Sequence, residues 1–446
     1  MTAPWGARTR SVAPAHGWAF GDHGSGGRPG ASSPLRRTHG RVGGNVMRGR
    51  TTTRPLVALA VALLAALALF GAGCGGSDSG TSSDGTGSAE PIKIGAILSL
   101  TGTYAGLGEP EKNLIEMEVK KINDAGGVNG RPVEVIIEDD ATDEAQAVAA
   151  ASRLIEQENV VAIIGATGTG QTMAVRGDIQ RAGIPQVSMA GGTVITNPVD
   201  PLVFATPWSN TIVVPFTLDY LKGQGITKIG LLTDSGGFGK DGQAVFQQAA
   251  PEAGVEIVAD ETFNPGDTDM TAQLTKIKNS DAQAVVMWTA GKEAAIIAKN
   301  AKDLGIDLPV YGSHGIARRE FIDGAGEAAN GVKFAAGKIL IPEAYGEDTE
   351  AYAVATDFID AYTQAYGEAP NTFAGHAYDA LYLVVEAAKR IDGDITPEAL
   401  RDEIENTAGF VGIGGTFNLS PDDHNGMTQD DLSMYEITGG DWTLAQ

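Results

Sequence analysis

The chain has 446 residues, of which 42% are hydrophobic, 6% aromatic and 20% charged, and its net charge is −24. That length can bury the cores of two ordinary lobes. Residues 1–73 hold nine arginines, no lysine and one acid, Asp22, so the acidic excess lies entirely in the rest of the chain. A body this acidic offers no basic face to phosphates and is expected to bind no nucleic acid.

Residues 1–46 are rich in Arg, Gly, Ser and Pro without an apolar period. They read as a disordered leader or as a start assigned too early. Met47 begins a coherent segment. Arg48, Arg50 and Arg54 precede an unbroken apolar run of 15 residues, Leu56 to Phe70. The run is short for a membrane span, and residues 47–73 have the layout of a signal peptide. Cys74 follows Gly71-Ala72-Gly73 and is the chain's only cysteine, so no disulfide can form within it. Its position resembles a bacterial lipobox, whose cysteine is lipidated, although Gly71 stands where that pattern usually has Leu. Residues 74–90 read as a flexible Gly/Ser tether. The expected layout is an exported body held by a lipid at the extracytoplasmic face of a membrane.

From Pro91 strands and helices alternate. Strands are expected at Ile92–Leu100, Val133–Ile137, Val160–Ile164 and Pro185–Met189. Helices are expected at Glu111–Asn123, Ala145–Gln157 and Thr172–Ala182. The rhythm restarts after Pro207. Ile212–Gln224, Lys240–Ala253, Met270–Asn279 and Lys292–Leu304 read as helices; Ile229–Thr233, Val255–Asp260, Ala284–Trp288 and Val310–Tyr311 read as strands. This predicts an α/β fold with parallel βαβ units. Residues 337–428 are read as mainly helical, unable to build a sheet alone. Lobe 1 is therefore expected over 91–209 plus 337–428, and lobe 2 over 210–336 plus 429–446.

Ligands of parallel sheets bind beyond the carboxyl ends of the strands. Three segments there combine glycine with hydroxyls: Ser99–Gly108, which contains Tyr104 and Leu107; Gly165–Thr172, which contains Thr167, Gly168 and Thr169; and Ser188–Thr193. Such loops and helix N-termini suit a small anion such as a carboxylate. Gly165–Thr172 imitates a phosphate loop, but Gln171 replaces the required Lys, so nucleotide hydrolysis is not expected. His314, His376 and His424 have no metal-ligand spacing, and no nucleophile elbow occurs. Asp139-Asp140 reads as a solvated turn. No catalysis, metal or cofactor is expected. Trp208 and Trp288 stand beside the same edge, and ligand contact and lobe packing are both open for them.

Several stretches carry a family resemblance: Ile94–Gly102, Ile122-Asn123-Asp124-Ala125-Gly126-Gly127-Val128-Asn129-Gly130, Glu138–Asp143, Thr233-Asp234 with Phe238-Gly239, and Gly254–Leu274. Together they resemble the leucine/isoleucine/valine-binding branch of the periplasmic binding proteins, from about residue 91 onward. The resemblance implies the type I fold, three hinge crossovers, closure on a ligand and delivery to an ATP-driven importer by a monomer. A ligand-sensing receptor domain of the same fold is the alternative. It also implies that Thr169, with Gly192 and Thr193, takes a ligand carboxylate. Leu107 stands in place of a packing aromatic, and Phe238 matches the aromatic of the second lobe. Acids that would meet a ligand ammonium are replaced by Asn210 and His314. A carboxylate ligand without an amine is therefore expected, with closure about Ser209 and Gly337.

Overall fold

A computed structural model describes residues 90–446; the leader, the signal-like run, Cys74 and most of the tether lie outside the described residues. Strands β1 (Ile92–Leu98), β2 (Val133–Asp139), β3 (Ala162–Gly165), β4 (Gln186–Ser188) and β5 (Val203–Ala205) make one sheet in the order β2-β1-β3-β4-β5. All its pairings are parallel. Helices α1 (Ala105–Asp124), α2 (Glu144–Glu156) and α3 (Thr169–Ala182) connect the first four strands. Of β1 only Lys93 escapes full burial. A central parallel strand is covered on both faces, which is why Ile-Lys-Ile-Gly-Ala-Ile-Leu is nearly continuous in apolar residues.

Helix α4 (Asn210–Gly223) opens the second sheet. Its parallel part comprises β6 (Lys228–Asp234), β7 (Glu256–Phe263), β8 (Ala284–Trp288), β9 (Val310–Gly312) and β10 (Lys333–Gly337). Helices α5 (Gly237–Ala253), α6 (Thr271–Lys278), α7 (Glu293–Asp303) and α8 (Arg319–Ala325) link these strands. Then come α9 (Glu350–Tyr366), α10 (Thr372–Arg390), α11 (Pro397–Glu405) and a ribbon of β11 (Ala408–Val411) and β12 (Thr416–Asn418). The ribbon corrects the expectation that this section builds no sheet: Gly409 and the turn at Gly412–Gly415 let two short strands pair. β13 (Leu432–Thr438) and β14 (Asp441–Leu444) finally add antiparallel to β10, giving the order β14-β13-β10-β9-β8-β6-β7.

The helices α9–α11 return to the first sheet. Tyr366 donates to Asn113 O (2.5 Å), Tyr382 to Glu118 Oε2 (2.6 Å) and Arg401 Nε to Pro201 O (2.9 Å). The chain thus passes between the sheets after β5, after β10 and before β13. The crossings are tied together. Asn425 Nδ2 donates to Ala205 O (3.0 Å) and Pro207 O (2.8 Å), and Tyr435 donates to Gly337 O (2.8 Å). Trp208 packs so closely on Gly337 that a Cβ there would lie 2.2 Å from the ring.

Helices α1, α3, α4 and α5 start earlier than apolar periodicity implies. α1 begins at Ala105 rather than Glu111, and Gly108 lies inside it, where a Cβ would come within 2.3 Å of Ser99 O. Glycine at that position lets the helix approach the end of β1. Asp139-Asp140 is also corrected, because Asp140 is fully buried. It accepts from Ser99 Oγ (2.6 Å) and Thr142 N–H (2.8 Å), while Asp139 accepts the N–H groups of Leu100 (2.9 Å) and Ala141 (2.8 Å). The pair organises the loop after β1 rather than facing solvent.

Candidate functional site

Beyond the carboxyl ends of the strands, α1, α3 and the loop after β4 face α5 and the loops after β8 and β9. Gly168 caps α3 without a side-chain hydrogen bond, and Thr169 is its first residue. Gly236 caps α5 in the same way. The two N-termini meet: a Cβ on Gly237 would lie 2.6 Å from Gly170 N. Each end carries a partial positive charge, so their meeting favours an anion between them.

A cavity closes there. From the first sheet's side it is lined by Tyr104, Leu107, Thr167, Gly168, Thr169 and Gly191. Phe238, Ala290, His314 and Gly315 line it from the second. Met189, Ala190 and Pro207, with Phe373 and His376 of α10, complete it. Its free space is about 20 Å³, room for about one water molecule. An organic ligand must therefore enter with the lobes parted. A larger open groove of about 610 Å³ passes Glu109, Ile339, Tyr362 and Trp442, but none of the glycine and hydroxyl loops lines it.

The polar groups of the cavity differ in availability. The Thr167 hydroxyl is spent, donating to Glu111 Oε2 (2.5 Å) and accepting from Ser99 N–H (3.0 Å). Thr169 Oγ1 is buried without a partner. His314 and His376 are buried, each with an unpartnered Nδ1. Burial pushes His314 down to about 3, and burial followed by the repulsion of His314 does the same to His376. Both rings are therefore neutral. Burial, then the carboxylates of Asp234 and Glu293, raises the Tyr104 phenol well above its ordinary value and keeps it an O–H donor. Aromatic edges brace His314: its centroid is 5.2 Å from Phe238 and 6.0 Å from Trp288.

Of the residues expected to meet ligand, Tyr104, Leu107, Thr167, Gly168, Thr169, Phe238 and His314 come together here. Gly192, Thr193, Trp208, Asn210 and Trp288, also expected near ligand, are not among the residues that line it, and for Trp208 and Trp288 lobe packing is the alternative observed. Gly192 packs under Thr169, where a Cβ would be 2.8 Å from Oγ1. Thr193 N–H is taken by Asp241 Oδ2 (2.7 Å). Asn210 lies fully buried between Asp241 (2.7 Å) and Trp288 Nε1 (3.0 Å). Trp208 is buried against Gly337 and lies 5.1 Å edge-on to His376.

Three groups escaped the sequence reading. Asp241 and His376 sit on ordinary helical faces and carry no local signal. Arg318 is 3% exposed and donates to Gly315 O, with an unpartnered Nε and its guanidinium 5.9 Å from the Phe373 ring.

Two α/β lobes joined by three crossings around a cavity with its own unpaired polar groups have the architecture of a solute-binding protein. The chain belongs to the periplasmic binding protein family, whose model matches residues 91–441. It is 27% identical over 353 residues to the leucine-, isoleucine-, valine-, threonine- and alanine-binding protein of Pseudomonas aeruginosa, covering 78% of this chain and 90% of that one. A solved structure of the branched-chain amino acid transporter substrate binding protein of Streptococcus pneumoniae, in complex with isoleucine, is similar at 30% identity. Its TM-score is 0.71, over 80% of this chain and 99% of that one. An extracellular ligand-binding receptor from Rhodopseudomonas palustris matches with a TM-score of 0.75 at 28% identity, over 80% and 99%. The family consists of extracytoplasmic solute-binding proteins, which are not enzymes, and this chain belongs to its branched-chain amino acid transporter branch.

Proposed function

We propose that this chain captures a small carboxylic acid lacking an amine and hands it to an ATP-driven importer, tethered to the membrane by a lipid on Cys74 after export. The observation that carries this reading is the cavity lining. It offers the Thr169 hydroxyl, the Tyr104 phenol, two neutral imidazoles and a helix N-terminus. Among the described residues no carboxylate lines it. A carboxylate suits these donors. An ammonium buried there would find no carboxylate in the lining itself, although Asp234 and Glu293 act on Tyr104 from outside it, and an unpaired charge is costly.

Leu107, Met189, Phe238 and Phe373 supply apolar walls. Such walls suit a hydrocarbon such as that of the isoleucine bound by the pneumococcal relative. The test is calorimetric titration of the purified protein with leucine and with isocaproate, its counterpart without the amine. Isocaproate should bind more tightly. Tight leucine binding with weak isocaproate binding would sink the reading, and mass spectrometry of co-purified ligand names the natural acid.

A further inference from the structure

Two buried histidines line the cavity from opposite lobes. His314 follows β9 on the second sheet's side; His376 lies on α10, which packs on the first. At both rings the Nδ1 atom is enclosed by protein and has no partner. A proton on that atom would be a buried N–H without an acceptor, which is costly. The proton of the neutral ring therefore belongs on Nε2. In His314 this atom abuts the Gly191 backbone at the cavity wall, 2.5 Å from where a Cβ would stand. The neighbouring Gly192 is where Thr169 Oγ1 approaches, at 2.8 Å from the equivalent position. The same Gly-Gly segment is thus bordered by a hydroxyl from one lobe and an imidazole N–H from the other. One donor can meet a carboxylate while the other meets an acceptor on the adjacent carbon.

We infer that the ligand is an α-oxo acid and that His314 reads its oxo oxygen. This rests on the amine-free reading above and deepens it. An α-ammonium presents only donors and would face the N–H of His314. A plain alkyl acid offers that N–H no acceptor at the α-carbon. An acceptor at the α-carbon satisfies the ring without charging it.

The test compares three ligands of one shape, differing only at the α-carbon: leucine, its α-oxo analogue and isocaproate. Each is titrated calorimetrically into the full chain, and matched oxo and alkyl pairs of shorter and aromatic acids are run beside them. The oxo acid should bind about tenfold or more tighter than the alkyl acid of the same pair. In His314→Ala that ratio should fall to about one. His314→Asn, which keeps an N–H donor, should restore part of it. Equal binding of oxo and alkyl acids, or a ratio that survives His314→Ala, overturns this inference while leaving the amine-free reading intact. Tightest binding of leucine overturns both, as does the absence of binding by every acid tested.

Discussion

Asn210 Nδ2 donates a 2.7 Å hydrogen bond to Asp241 Oδ2, joining the first residue of α4, just past the first crossing, to α5 within the second lobe. Asp241 also accepts the N–H groups of Thr193 (2.7 Å) and Val194 (3.2 Å). The loop expected to hold a ligand carboxylate is thus occupied by a carboxylate of the protein, which clasps one lobe to the other. Asp241→Ala should weaken ligand binding by about tenfold, because closure loses these bonds and leaves buried donors unpaired. Small-angle scattering of the free protein should show a larger radius. Tighter ligand binding in the variant would mean that the loop belongs to the ligand after all.

Thr169 Oγ1 is buried without a partner in the protein, so its hydroxyl is held for something else. Thr169→Val keeps the shape and removes the donor. Thermal stability should stay the same or rise slightly, while affinity for the carboxylate ligand drops about tenfold. A variant that loses stability and keeps affinity would assign Thr169 to packing.

The two histidines set an acid limit. Burial pushes both imidazoles down to about 3, whereas in the unfolded chain they titrate near 6.5. Between those values the unfolded state binds more protons, so stability is full above about pH 6.5 and falls as the pH drops toward about 3. Thermal melts at about pH 7.5 and about pH 5.5 should show this, with a smaller drop in His376→Phe. Equal pH dependence in the variant and the parent would remove His376 as a cause.

Gly337 lies where the second crossing begins, and a Cβ there would stand 2.2 Å from Trp208 Cη2. The indole is enclosed and cannot retreat. Gly337→Ala should cost about 1–3 kcal/mol in urea unfolding. Because two crossings share this contact, ligand affinity should change with it. A neutral substitution would show that the crossings flex independently of this packing.

Cys74→Ser should move the protein from the detergent-extracted membrane fraction to the soluble fraction. Its ligand affinity should remain unchanged, since the change falls outside the globular body. Retention at the membrane would point to an uncleaved apolar run as the anchor.

The architecture was legible because local pattern and tertiary demand agree in parallel βαβ units. Central strands such as Ala284–Trp288 are buried on both faces, so they read as unbroken apolar runs. The edge and late strands were not legible. Val203–Ala205 is three residues long, and Leu432–Thr438 alternates polar and apolar residues after a long helical section. Their pairing is decided by where the chain returns, which no local pattern records.

The site divided in the same way. The sequence by itself determined the glycine and hydroxyl loops and Thr169 near a helix N-terminus, because these are properties of short segments; the absence of acids at Asn210 and His314 came only from the family resemblance. Only the tertiary structure decided which polar groups are free. Thr193, Asn210 and Trp288 have the right chemistry, yet their hydrogen bonds are consumed by the protein: Thr193 bonds to Asp241 across the lobes, and Asn210 and Trp288 bond within the second lobe. His376 reaches the cavity from the other end of the chain. Availability depends on the partners a donor finds in space, and those come from three crossings that bring distant segments within hydrogen-bond reach.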